Sequence, residues 1–172
     1  MKIDILFSKL RATTFKEVVF EISQQNTWKS FDDRAIKFVN KFSSELLKYP
    51  GINNFPDLVA LAYWFRKSKI KKLSQNYLHN KSIIRTGKGL AFHVSPSNVD
   101  TIFIYSWIIS LLCGNKNIVR ISSKNKSIEY IKLFDIVEKL FNDKKWEEIS
   151  KRNVLVNYEH NDELNNFFSS KC

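Results

Sequence analysis

Glycine and proline are scarce in this chain, with 4 and 3 among 172 residues. So few turn formers leave little room for tight hairpins and favour regular elements. Cysteine occurs only twice, as Cys113 and Cys172, which excludes a disulfide framework and a thiolate metal set. There is no GxGxxG loop. The longest apolar run, Thr101 to Cys113, falls short of the ~20 residues that a membrane span needs. The opening MKIDILFSKLR is too short and too mixed for a secretory leader, so a cytoplasmic location is the expectation. Acidic residues are also in deficit, 17 against 28 Lys and Arg, a formal net charge of +11.

What is present reads as a globular chain. Hydrophobic residues make up 44% and charged residues 26%, and 14 phenylalanines supply bulk for a core. The charge is uneven. Residues 1–90 hold 17 Lys and Arg against 7 Asp and Glu, whereas residues 91–172 hold 11 against 10. A basic first half suits a nucleic acid, a membrane surface or a phosphorylated ligand, and equally a merely solvated surface.

Helical spacing dominates the first half. Ile3 to Phe7 and Val18 to Phe20 are compatible with either strands or helix ends. Ser30 with Asp33 reads as a capping box, followed by Phe31, Ala35, Phe38, Val39, Phe42 and Leu46 at helical spacing until Pro50-Gly51. A second helix starts near Pro56, buries Leu58, Leu61, Ala62 and Phe65, and runs into the basic stretch Arg66 to Lys72. From residue 82 the pattern changes. Leu90 to Val94 reads as a strand, Asp100 to Leu112 as a helix apolar nearly all round, and Gly114-Asn115 as its stop. Asn117 to Ile121 reads as a second strand, Ser127 to Phe141 as an amphipathic helix, Val154 to Val156 as a third strand and Asp162 to Ser169 as a final helix. The apolar face of the Ser127–Phe141 helix is expected to hold Ile128, Ile131, Leu133, Phe134, Val137 and Leu140.

Strand and helix alternate as βαβαβα, which predicts an α/β fold: N-terminal helices, then a partial Rossmann-like parallel sheet. The expected division is a mainly helical region over residues 1–81 and a partial nucleotide-binding α/β domain over 82–172. Ligands of such sheets bind beyond the carboxyl ends of the strands. That points to two polar loops, Ser95-Pro96-Ser97-Asn98-Val99-Asp100 and Ser122-Ser123-Lys124-Asn125. Both precede helices and could meet an anion.

Gly89 to Ser123, GLAFHVSPSNVDTIFIYSWIISLLCGNKNIVRISS, resembles the signature of acyl-CoA reductases of the LuxC type, within the aldehyde dehydrogenase superfamily. That signature has His-hydrophobic-x-Pro-Ser-Asn-Val at a strand end, a buried helix, then Gly-Asn-x-Asn-hydrophobic-Val-Arg and serines. Trp64-Phe65-Arg66 is similar to a further family feature. The resemblance implies an aldehyde-dehydrogenase-like fold and the reduction of a fatty acyl-CoA thioester to an aldehyde with NADPH. It implies that the Asn98 amide stabilises the oxyanion, a donor worth ~3 kcal/mol of transition-state stabilisation. It places Arg120 near the adenosine ribose, where a guanidinium fork suits a 2′-phosphate. Ser95, Pro96, Ser97, Ser122 and Ser123 fall to the same cofactor site. No metal is implied.

Each residue alone also has a plainer reading. Asn98 suits a helix N-cap, Arg120 a surface strand position, and His93 a satisfied core histidine. Cys113 lies late in an apolar helix and aligns with a small residue of the family. Cys172 lacks an evident base. The family's nucleophile and catalytic domain are therefore expected to lie outside this sequence, leaving the chain inactive alone. Its partners would be acyl-CoA and either a further copy or a missing C-terminal half. The competing expectations are a non-catalytic nucleotide- or CoA-binding half-domain and a basic nucleic-acid-binding protein. The latter is disfavoured, since no recognised motif of that kind is present.

Overall fold

A computed structural model describes residues 4–10, 12–79, 82–95, 101–121 and 127–172. Strand β1 spans Asp4–Phe7, so the first undecided segment is a strand. The second is helical: α1 spans Phe15–Ser23. Thr14 and Glu17 form its capping box, with the Glu17 carboxylate accepting from the Thr13 and Thr14 backbone N–H groups. Those hydrogen bonds hold the Glu17 carboxyl below its ordinary value.

Helix α2 spans Asp33–Leu47 and is capped by Asp32, whose carboxylate accepts from the Arg34 backbone N–H. The expected cap, Ser30, is engaged elsewhere: its hydroxyl donates to the Cys113 carbonyl at 3.0 Å. Phe31 at φ 57° turns the chain between them and leaves Asp32 facing the first helical turn. After α2, Gly51 at φ 72° opens a 3-10 turn over Ile52–Asn54. Helix α3 spans Pro56–Trp64, with proline in its first turn. The helix expected to run on through the basic stretch ends there, and α4 spans Lys67–Tyr77. The break at Phe65-Arg66 lets both Phe65 and Ile70 bury completely, which one straight helix would have to achieve on a single stripe.

Strand β2 spans Leu90–Val94, α5 Ile102–Leu112, β3 Lys116–Ile121 and α6 Ile128–Asn142. A 3-10 turn at Lys144–Trp146 and the short α7, Glu147–Ser150, precede β4 at Asn153–Asn157. Helix α8 spans Asp162–Ser169. The described residues thus form an α/β structure with eight α-helices and a four-stranded mixed sheet in the order β1-β4-β3-β2. Strands β2, β3 and β4 run parallel, in line with the alternating pattern. The wholly parallel sheet is corrected by β1, which pairs antiparallel with β4 and brings N-terminal residues into the sheet.

Both faces of the sheet are covered. Val119, Ile121 and Leu155 face the larger core, which holds the buried residues of α2 to α6. Ile118, Val154 and Val156 face the smaller core, with Val18 and Ile22 of α1 and Leu164 and Phe168 of α8. Burial on both faces explains why β3 and β4 read as continuous apolar runs. Helix α6 buries Leu133, Ile136, Val137, Leu140 and Phe141, while Ile128 and Ile131 remain exposed. Its buried stripe therefore differs from the expected one at the first turn. Glu45 ties α6 to α2 by accepting from Lys139 at 2.6 Å and Lys41 at 2.7 Å. These two partners hold its carboxyl down at about 2.

Candidate nucleotide site at the carboxyl ends of the parallel strands

The carboxyl ends of β2, β3 and β4 bring Ser95, Arg120 and Tyr158 together. The Ser95 N–H donates to the Arg120 carbonyl at 2.9 Å, which extends the β2–β3 ladder by one residue. Ser95 is buried. Alternation along β3 places Arg120 on the same face as Ile118, toward α8. Its guanidinium lies 4.9 Å from the Tyr158 ring centroid, and Nη2 donates to the Tyr158 carbonyl at 3.3 Å. The Tyr158 hydroxyl donates to Asn165 of α8 at 2.8 Å, which fixes the ring beneath the guanidinium. Burial pushes the Tyr158 phenol up to about 12, against the pull of Arg120.

Arg120 is therefore not the surface strand residue of its plainer reading. Its Nε is buried and has no hydrogen-bond acceptor among the described residues. An unsatisfied buried donor costs ~1–3 kcal/mol, so an arriving anionic oxygen would be stabilised there. This orphaned donor is what a phosphate-bearing cofactor fits. The other expected site residues, Pro96, Ser97, Asn98, Ser122 and Ser123, lie outside the described residues.

A second polar arrangement lies on the opposite face. Trp107 Nε1 donates to Asn153 Oδ1 at 2.8 Å. Asn117 Nδ2 donates to the same oxygen at 2.8 Å, and Asn117 Oδ1 meets His93 Nε2 at 3.0 Å. Indole N–H can only donate, so it sets the direction of the whole chain. Asn153 Oδ1 must accept, Asn117 must turn its amide nitrogen toward it, and Asn117 Oδ1 is left to accept from His93 Nε2–H. The imidazole is thereby held as the Nε2–H tautomer with Nδ1 unprotonated. Burial lowers the His93 pKa, opposed by the Asn117 hydrogen bond. His93 is thus the satisfied histidine of its plainer reading.

A pH dependence follows. The folded chain keeps His93 neutral below the ordinary imidazole value of about 6.5, so it binds fewer protons than the unfolded chain there. This contribution to stability is complete above that value and is lost as pH falls through the lowered folded value. Between about pH 7.5 and about pH 5, wild type should lose more stability than His93→Gln. Denaturant titrations at the two pH values measure this, and parallel losses in both proteins would refute it.

Neither thiol is arranged as a nucleophile. Burial pushes both the Cys113 and Cys172 thiols up, the latter against the Phe92 backbone N–H. Cys172 Sγ also donates to the Phe168 carbonyl at 3.2 Å. Among the described residues no group of His, Cys, Asp and Glu could hold a metal ion, and no helix is long and apolar enough to cross a membrane.

The sequence reading missed Tyr158 and the Trp107–Asn153–Asn117 chain. The available signal was an asparagine at the start of each of two apolar strands, Asn117 and Asn153. A buried strand tolerates that residue only with partners.

The family model described as acyl-CoA reductase (LuxC) matches residues 71–169. No curated protein and no solved structure matches the chain. The match covers more than half of the 172 residues and contains β2 through α8, the elements that carry Ser95, Arg120, His93 and Tyr158. The chain belongs to the acyl-CoA reductase (LuxC) family.

Proposed function

We propose that this chain provides the nucleotide-binding part of an NADPH-dependent reductase that converts fatty acyl-CoA thioesters to aldehydes. The observation that carries the reading is the Arg120 guanidinium at the end of β3, held over Tyr158 with an orphaned Nε. Residues 82–172 act as the nucleotide-binding domain, a partial Rossmann-like sheet of the aldehyde dehydrogenase kind. Arg120 takes the 2′-phosphate as a fork, which an ammonium would do less well. Ser95, Pro96, Ser97, Ser122 and Ser123 line the same site by resemblance, and the Asn98 amide donates to the oxyanion. Bound NADPH supplies the hydride. The acyl group requires a cysteine other than Cys113 and Cys172, whose raised thiols are poor nucleophiles at neutral pH. The chain alone is therefore inactive and works with a further chain that supplies this cysteine.

NADPH fluorescence titration of the full chain tests this. Saturable binding is expected, weakened about 10- to 100-fold in Arg120→Ala, the loss appropriate to a charge-assisted phosphate contact. NADH binding should change little in the same variant. Unsaturable binding, or equal NADPH affinity in both proteins, would overturn the cofactor assignment. Fatty aldehyde formed by the chain alone would overturn its inactivity.

The state of the two thiols also favours a second reading, a non-catalytic nucleotide- or CoA-binding half-domain. It shares the NADPH result. It parts from the first in giving no aldehyde with acyl-CoA when a family chain carrying the missing cysteine is added.

A further inference from the structure

Between Leu58 and Val99 the sequence holds eight Lys and Arg and no Asp or Glu, a run of 42 residues. Elsewhere four cations are seen in ion pairs. Arg34, Lys41, Lys139 and Lys151 all meet carboxylates within 2.9 Å. By contrast Lys67, Lys69, Lys71 and Lys72 of α4 are exposed, and none has an ion pair among the described residues.

Large apolar side chains sit beside these charges. Trp64 ends α3 with 45% of its surface exposed, next to Tyr63 at 49%. Between Trp64 and α4 lies an open cleft of about 260 Å³, lined by Trp64, Lys69, Ile70, Lys72, Leu73 and Asn76. Its wall is apolar and its rim carries two ammonium groups. Farther along the same acid-free run, Ile83 is 48% and Ile84 87% exposed.

We propose that this face docks the chain on an anionic phospholipid bilayer. The lysines meet headgroup phosphates, Trp64 and Tyr63 lie at the headgroup level where amphipathic rings partition, and the apolar cleft faces the acyl boundary. A bilayer also takes up exposed isoleucines such as Ile83 and Ile84 of the same acid-free run, which nucleic acid does not use, since bases stack on aromatic rings. A helix of eleven residues lies on the surface rather than crossing it. This inference does not rest on the cofactor assignment.

The test is co-sedimentation of the full chain with vesicles of phosphatidylcholine alone or mixed with phosphatidylglycerol. Binding only to the mixed vesicles, weakened by salt, is expected. Each lysine should contribute about a fivefold factor, so replacing Lys67, Lys69, Lys71 and Lys72 by glutamine should lower partitioning roughly several-hundredfold. Trp64→Ser should lower it further, and Trp64→Phe much less. All these positions are exposed, and circular dichroism checks that the variants stay folded. Failure to bind mixed vesicles, equal binding to both kinds, or indifference to the lysine changes would overturn the proposal. So would DNA binding that needs the lysines while Trp64→Ser and Ile84→Ser leave vesicle partitioning unchanged. That last outcome would assign the face to nucleic acid.

Discussion

Replacing Gly114 by alanine should cost at least ~4 kcal/mol, comparable with the whole stability of a modest domain, and leave little folded protein. Gly114 sits just past α5 at φ +93°, a conformation that strains any residue with a Cβ. Added there, a Cβ would overlap the Trp28 carbonyl oxygen. Neither neighbour can withdraw, because three chain segments are knotted by hydrogen bonds at this point. The Trp28 N–H donates to the Gly114 carbonyl at 3.1 Å, and the Gly87 N–H donates to the Trp28 carbonyl at 3.0 Å. Phe31 N–H reaches Leu112, Ser30 N–H reaches Arg85, and the buried Arg152 guanidinium donates to Asn26 and Gly114 carbonyls. A Cβ on Gly87 would in turn strike the Gly114 carbonyl group. Soluble yield, circular dichroism and denaturant unfolding of Gly114→Ala check this. A loss under ~1 kcal/mol would show that the junction is loose.

The second large effect concerns Trp107. The side chain is completely buried, packs edge-on to Phe38 and Phe141, and donates to Asn153. Trp107→Ala should destabilise by ~3–5 kcal/mol through lost burial and the cavity left behind. Trp107→Phe keeps most of the packing and removes the donor, for an expected loss of ~1–3 kcal/mol. The two variants separate packing from polarity. If Trp107→Phe is as damaging as Trp107→Ala, the hydrogen-bonded chain from Trp107 to His93 dominates. If it is neutral, the indole N–H contributes nothing and the direction assigned to the asparagine amides fails. Denaturation midpoints at equal slope decide between them.

Periodicity and punctuation alone carried much of the fold. The βαβαβα order from Leu90 to Ser169 is legible because α5, β3 and β4 are so apolar that few other arrangements could satisfy them. The end of α8 at Ser169 and the cap of α6 at Ser127 are local matters of spacing and side-chain hydrogen bonding. The family was legible too, since Gly89 to Ser123 keeps a long motif in order and spacing.

Other features needed the folded chain. Nothing local in Asp4–Phe7 states that it pairs antiparallel with β4, because a short strand's partner depends on where 150 later residues place an open edge. Ser30 looked like a cap until the Cys113 carbonyl, 83 residues away, took its hydroxyl. The Arg120 environment is of the same kind. Its position at a strand end follows from sequence, but the Tyr158 ring beneath it and the unsatisfied Nε arise where two strands and α8 meet. Local propensity acts over a few residues, so sequence determined the elements and their order. Long-range hydrogen bonds and burial, which form only when distant segments meet, decided which polar groups are satisfied among the described residues and which are not.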